Sequence, residues 1–86
     1  MNAIWKYVLP ITDVVHLSLP IGARPLCVQN QHGYLTLWAL VDPNAKSSDR
    51  AFRIVGTGHL FNPDRLTYIG MAQVGLLVWH VFEVES

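Results

Sequence analysis

The chain has 86 residues, of which 51% are hydrophobic and only 14% are charged, and six basic residues balance six acidic ones. This length predicts a single domain over residues 1–86. The zero net charge argues against a duplex nucleic-acid binder and against a polybasic membrane anchor. Ordinary domains carry about 25% charged residues, so this chain has little polar material with which to cover its surface. We therefore expect it to share apolar surface in a homo-oligomer.

The single cysteine and the composition of the N-terminal residues bear on the cellular compartment in which we expect the protein. Cys27 has no second cysteine with which to form an internal disulfide, so nothing indicates an oxidising compartment. The stretch "MNAIWKYVLP" lacks the long apolar run of a signal peptide. The longest apolar run, residues 74–79, is far shorter than the ~20 residues that cross a bilayer. We expect a soluble cytoplasmic protein that makes no membrane contact.

Alternating apolar and polar residues recur about every ten positions, separated by Gly and Pro turns. This spacing predicts an all-β fold, a small single-domain antiparallel β-sandwich or barrel. Residues 44–50 are the best helical candidate and predict one turn at most. Trp5 and Trp79 are interpreted as core residues. The seven predicted strands span residues 4–9, 14–19, 26–30, 34–41, 51–55, 67–74 and 76–84.

The segment "RAFRIVGTGHLFNPDR", residues 50–65, is the strongest candidate for a binding site. Glycines in such a loop permit unusual backbone angles and can form a nest of N–H groups for an anion. The segment matches no phosphate-loop or dinucleotide motif, because both the spacing and a following helix are missing. The alternative is a plain strand connection. The predicted ligand-binding residues, which include Trp38 as a stacking platform, are Trp38, Arg50, Arg53, Gly56, Thr57, Gly58, His59 and Arg65.

In a simple meander, the connections before and after the fifth strand lie at opposite ends. Arg50 and His59 would then lie apart in one subunit, unless a neighbouring subunit brings them together. Four histidines without short-range ligand spacing predict no metal site. His80 lies on an apolar face of its predicted strand and is interpreted as a hydrogen-bonded core histidine. The chain has no nucleophile motif and no paired acids, so we expect neither catalysis nor a cofactor.

Five strings carry a resemblance over nearly the whole chain: Trp5-Lys6-Tyr7, Leu37 to Asp42, Arg50 to Val55, Gly56 to His59, and Val78 to Glu83. With these strings the sequence resembles a set of small bacteriophage and prophage proteins. The resemblance implies a phage origin and action in the cytoplasm of a bacterial host. Phage proteins of this size are often anti-defence factors that act by binding.

Together, these features favour a binding protein that sequesters a small anionic, nucleotide-type signalling molecule of host immunity. One alternative is a protein–protein inhibitor of a host defence complex, similar to anti-CRISPR proteins. A structural or accessory protein of the phage particle is another.

Overall fold

The computed structural model describes all 86 residues and contains seven strands and no helix. Each strand overlaps one predicted strand, and the bounds differ from the predicted ones by at most four residues. The strands are β1 (Ala3–Val8), β2 (Val14–Pro20), β3 (Arg24–Gln31), β4 (Tyr34–Val41), β5 (Ser47–Gly56), β6 (Leu66–Val74) and β7 (Leu77–Val84). None of its elements is a helix able to span a membrane.

The helical turn predicted at residues 44–50 is wrong, because β5 already begins at Ser47. Only a tight turn precedes β5, closed by the hydrogen bond from the Ala45 N–H to the Asp42 carbonyl oxygen. The ladder to β2 includes Ser47 opposite Pro20, and this tertiary pairing overrides the weak local preference for helix.

The strands form two antiparallel sheets, a first sheet with the order β1-β4-β3 and a second with the order β2-β5-β7-β6. Two tight hairpins are encoded locally. His32 and Gly33 both have positive φ between β3 and β4, as a type I′ turn requires. Gly75 alone has positive φ between β6 and β7, which fits glycine at the second position of a type II′ turn over residues 74–77.

The core lies between the facing, or inner, sides of the two sheets, as in a β-sandwich. It consists of Leu9, Val15, Leu19, Ala23, Val28, Leu35, Leu37, Ala39, Val41, Phe52, Ile54 and Val81. Trp79 packs against this core, as predicted. Trp5 does not belong to it and is 42% exposed, because β1 is the edge strand of the first sheet. The sheets also meet at β3 and β6, where the Asn30 side chain donates to the Gln73 carbonyl oxygen at 2.8 Å.

Candidate functional site

Strand β5 separates the two arginines that the sequence placed together. Phe52 and Ile54 lie on its inner side, in the core, and successive side chains alternate across a strand. Arg50 therefore lies on the inner side, whereas Arg53 and Thr57 lie on the outer side. A single ligand on one face of the sheet cannot contact both arginines.

Arg50 is occupied by partners within the chain. Its Nη2 donates to Glu83 Oε1 at 2.7 Å, its Nε donates to the other carboxylate oxygen, and its Nη1 donates to the carbonyl oxygen of Ala23. The hydrogen bond to Glu83 raises the pKa of Arg50; partial burial acts against this shift, and attraction to the Glu83 charge adds to it. Arg50 thus has a structural role at the edge of the core.

The Gly56–His59 segment is a tight turn that uses part of its own backbone for internal hydrogen bonds. The His59 N–H donates to the Gly56 carbonyl oxygen at 3.0 Å, and Gly58 has a φ of +88°, as the third position of a type II turn requires. The Thr57 N–H donates to the Val78 carbonyl oxygen, so the middle one of the three N–H groups predicted to hold an anion, those of Gly56 to Gly58, is already used. A Cβ on Gly56 would lie 2.7 Å from His59 Cε1, so this glycine makes room for the His59 ring, which stands edge-on to Trp79.

The other two predicted residues lie elsewhere. Trp38 is on β4 of the first sheet, and its neighbours in the sequence, Leu37 and Ala39, are buried in the core. It therefore lies on the outer side of that sheet, across the sandwich from Arg53. Arg65 precedes β6, and its carbonyl oxygen accepts from the Glu85 N–H at 2.8 Å. The structure brings together only Arg53 and Thr57 of the predicted set on one exposed face.

That exposed face carries a group of rings that we call the aromatic face: Phe61, Tyr68, His80 and Phe82. The centroids of Tyr68 and Phe82 are 5.1 Å apart with their planes at 68°, and those of Phe61 and Phe82 are 5.3 Å apart. Such separations are typical of stabilising aromatic pairs. Tyr68 is nevertheless 50% exposed and Phe61 is 37% exposed, so the group presents ring surface to solvent.

Arg53 lies beside this group in the sheet. It is directly opposite Phe82 across the β5–β7 ladder, and Phe82 is directly opposite Tyr68 across the β7–β6 ladder. Side chains directly opposite each other on one face of a sheet are in contact range. Only Nε of Arg53 has a partner, the Asp13 carbonyl oxygen at 3.1 Å, which leaves its two terminal nitrogens free to bind an anion.

A hydrogen-bonded chain fixes the His80 ring within the aromatic face. Thr57 Oγ1 is 2.8 Å from His80 Nε2, and Tyr68 Oη is 2.9 Å from His80 Nδ1. Thr57 Oγ1 also donates to the Val78 carbonyl oxygen at 3.3 Å. In one continuous arrangement, Tyr68 donates to Nδ1, Nε2–H donates to Thr57, and Thr57 donates to the carbonyl. Every polar hydrogen then has an acceptor, so the ring is held in place between β5 and β6.

The alternation of β7 in the sequence is a signal for the position of these rings. The alternation in β7 places His80 and Phe82 on the side opposite Val81, which is fully buried. Once Val81 is assigned to the core, both rings must lie on the outer side. The interpretation of His80 as a core histidine is therefore incorrect, although its ring is hydrogen-bonded as expected.

The first sheet has a second exposed surface, a shallow apolar groove of about 280 Å³ lined by Ile4, Leu26, Cys27, Gln29 and Trp38. No group of three or more His, Cys, Asp or Glu side chains is arranged to hold a metal ion. The groove and the aromatic face are both surfaces with features suited to a partner.

Comparison with known proteins identifies a family. No curated protein and no solved structure matches the chain significantly. The model of a family described as a domain of unknown function, DUF7352, matches residues 1–86. Because this match spans every residue that forms the two sheets, the chain belongs to the DUF7352 family.

Proposed function

We propose that the protein binds a small nucleotide-type ligand on its aromatic face and acts by sequestering that ligand without catalysis. The observation that carries the proposal is the cross-strand row Arg53–Phe82–Tyr68, which places a cation next to the half-buried Phe82 ring and one strand away from the exposed Tyr68 ring. This row replaces the Arg50, Arg53 and His59 group expected from the sequence.

The two ends of the row suit the two parts of a nucleotide. A base can stack on Tyr68, since aromatic rings stack bases of any sequence. The free terminal nitrogens of Arg53 can donate to a phosphate in parallel, the geometry in which guanidinium groups bind anions most strongly. Neighbouring strands lie about 4.8 Å apart, so the row spans about 10 Å across three strands, a length suited to one nucleotide.

The resemblance to phage proteins supports a biological setting for this binding. In that setting the protein acts in the cytoplasm of an infected bacterium, and the ligand is a signalling nucleotide of host defence. Sequestration requires only affinity and abundance, which suits a small chain whose candidate site is made of rings and one arginine.

Isothermal titration calorimetry with a panel of mononucleotides, dinucleotides and cyclic nucleotides tests the proposal. We expect heat of binding with at least one of them. The Tyr68→Ala variant should weaken that binding about 5- to 150-fold, because base–aromatic stacking contributes about 1–3 kcal/mol. The matched control is Tyr34→Ala, which removes an exposed tyrosine (61% exposed) from the other sheet and should leave affinity unchanged.

The phosphate contact has its own pair of variants. Arg53→Gln should weaken nucleotide binding and remove most of its salt dependence, whereas Arg24→Gln, at an exposed position of β3, should do neither. Amide chemical shifts in a ¹⁵N-labelled sample should change along β5, β6 and β7. No heat with any nucleotide, or equal affinities for Tyr68→Ala and Tyr34→Ala, would overturn the proposal.

The groove on the first sheet favours a second candidate function, inhibition of a host protein. Ile4 is 60% exposed and Leu26 is 40% exposed beside Trp38, and exposed apolar patches of this kind mark interaction sites. A pulldown from host lysate with wild type and with Leu26→Asp distinguishes the candidates. A stoichiometric partner that the variant loses would support the inhibitor, and no partner would refute it.

A further inference from the structure

Strand β1 forms an edge of the first sheet and has an unpaired side. The Leu9 N–H donates to the Leu35 carbonyl oxygen at 2.8 Å, and bonded pairs in an antiparallel ladder recur at every second residue. Tyr7 and Trp5 therefore turn their backbone groups toward β4. By the same alternation, Ile4, Lys6 and Val8 turn theirs outward, where this chain provides no strand to accept them.

The other edges are better protected than β1. The same alternation turns the backbone of Val14, His16, Ser18 and Pro20 outward on β2, where Val14 is 46% exposed but Pro20 has no N–H and His16 and Ser18 are polar. Strands β3 and β6 lie against each other, joined by the bond from Asn30 to Gln73. On β1, by contrast, Ile4 is 60% exposed and Val8 is 51% exposed.

The one charged side chain on β1 does not protect this edge. Lys6 Nζ donates to Gln31 Oε1 at 2.7 Å. Gln31 belongs to β3, which lies on the far side of β4 from β1. The ammonium group is therefore drawn across the face of the sheet and away from the open edge. An edge lysine usually discourages strand addition, but this one leaves β1 open to it.

We infer that two copies of the chain pair through antiparallel β1 strands, which joins two three-stranded sheets into one continuous sheet. The outward groups of β1 allow a register with a two-fold axis at Trp5. Ile4 then exchanges backbone bonds with Lys6 of the second copy, and Trp5 lies directly opposite Trp5 of the second copy. This is a non-hydrogen-bonded pair, the type in which side chains lie closest.

The chemistry of the strand selects this register. A two-fold axis at Lys6 would place two ammonium-bearing residues directly opposite each other, which is destabilising. An axis at Trp5 instead brings together two copies of a tryptophan residue that is 42% exposed, and tryptophan contributes some of the largest buried areas at interfaces. The low charge content of the chain is consistent with this use of apolar surface.

Sedimentation velocity tests the pairing. We expect the 9.7 kDa chain to sediment as a dimer at high concentration and to dissociate on dilution. Ile4→Pro should leave a folded monomer, because proline removes an outward N–H without disturbing the ladder to β4. The matched control is Ser18→Pro, the same change at an outward position of β2, which should remain dimeric. A wild-type monomer at every concentration would overturn the inference.

Cross-linking tests the register. In a Cys27→Ser background, oxidised Trp5→Cys should form a disulfide-linked dimer, since Cα atoms of such a pair lie about 4.5 Å apart, within disulfide range. Val8→Cys should not form this dimer, because the residue-8 positions of the two copies would lie about 20 Å apart in this register. Equal cross-linking of the two variants, or cross-linking of Lys6→Cys in place of Trp5→Cys, would refute the register even if a dimer forms.

Discussion

Replacement of Arg50 by methionine tests whether this arginine stabilises the fold or binds a ligand. The Arg50 and Glu83 side chains are only 22% and 21% exposed, so the free-energy cost of breaking this pair should be intermediate. An exposed salt bridge contributes about 0–1 kcal/mol, and breaking a buried one costs about 3–5 kcal/mol. Arg50→Met leaves the Glu83 carboxylate and the Ala23 carbonyl without their donors. We expect a loss of about 2 kcal/mol, or about 8–16 °C in Tm for a domain of this size.

A double-mutant cycle measured by urea unfolding checks this magnitude. Glu83→Leu should also cost about 2 kcal/mol, but Arg50→Met/Glu83→Leu should cost far less than the sum, because neither charge is then left alone. The control, Arg53→Met, makes the same change on the outer side of the same strand and should cost less than about 0.5 kcal/mol. Additive single effects, or equal losses for Arg50→Met and Arg53→Met, would refute the reasoning.

Two further predictions concern Tyr7 and the Gly56–His59 turn. The Tyr7 hydroxyl oxygen is buried without a hydrogen-bond partner, so Tyr7→Phe should leave stability unchanged or raise it by about 1 kcal/mol in urea unfolding at neutral pH. Burial also raises the pKa of Tyr7 above 10.0. The Tyr7 phenol therefore loses its proton at a lower pH in the unfolded state than in the folded state, and the free energy of unfolding of the wild type should fall as pH rises above about 10. Tyr7→Phe should remove this slope, and the same slope in the variant would contradict the reasoning. Gly58→Ala should cost about 1 kcal/mol from its positive φ alone, because a Cβ there meets nothing within 4 Å. Gly56→Ala instead displaces the His59 ring. Adding His59→Ala should therefore restore part of the stability that Gly56→Ala loses, but none of the stability that Gly58→Ala loses. Equal rescue of both variants would refute the distinction.

The fold was predictable from the sequence because alternation and turn residues are local. The apolar run of β4 and the turn at Gly33 fix their strands without reference to the rest of the chain. The one-turn helix at residues 44–50 was wrong because the pairing of Ser47 with Pro20 decides that segment, and a pairing between distant strands leaves no local signal.

The candidate site was much less predictable, for the same reason. Arg50 and Arg53 are close in sequence, but three residues of separation along a strand place them on opposite sides. Tyr68, Phe82 and Arg53 are far apart in sequence and become neighbours only through two ladders. Arg50 looked available because its partner Glu83 lies 33 positions away.

The few charges of this chain explain why the aromatic face and the edge of β1 both remain open. Glu83 is held by Arg50 and Asp49 pairs with His16, so these two carboxylates near β5 have partners of their own. Arg53 is left with two terminal nitrogens free beside the aromatic face, where an anionic ligand can supply the missing partner. Lys6 is drawn to Gln31, which leaves the apolar edge of β1 without a charge to repel a second copy. The same scarcity of charge thus favours an anion on one sheet and self-pairing on the other, and because the two sheets are opposite layers of the sandwich, both can occur in one assembly.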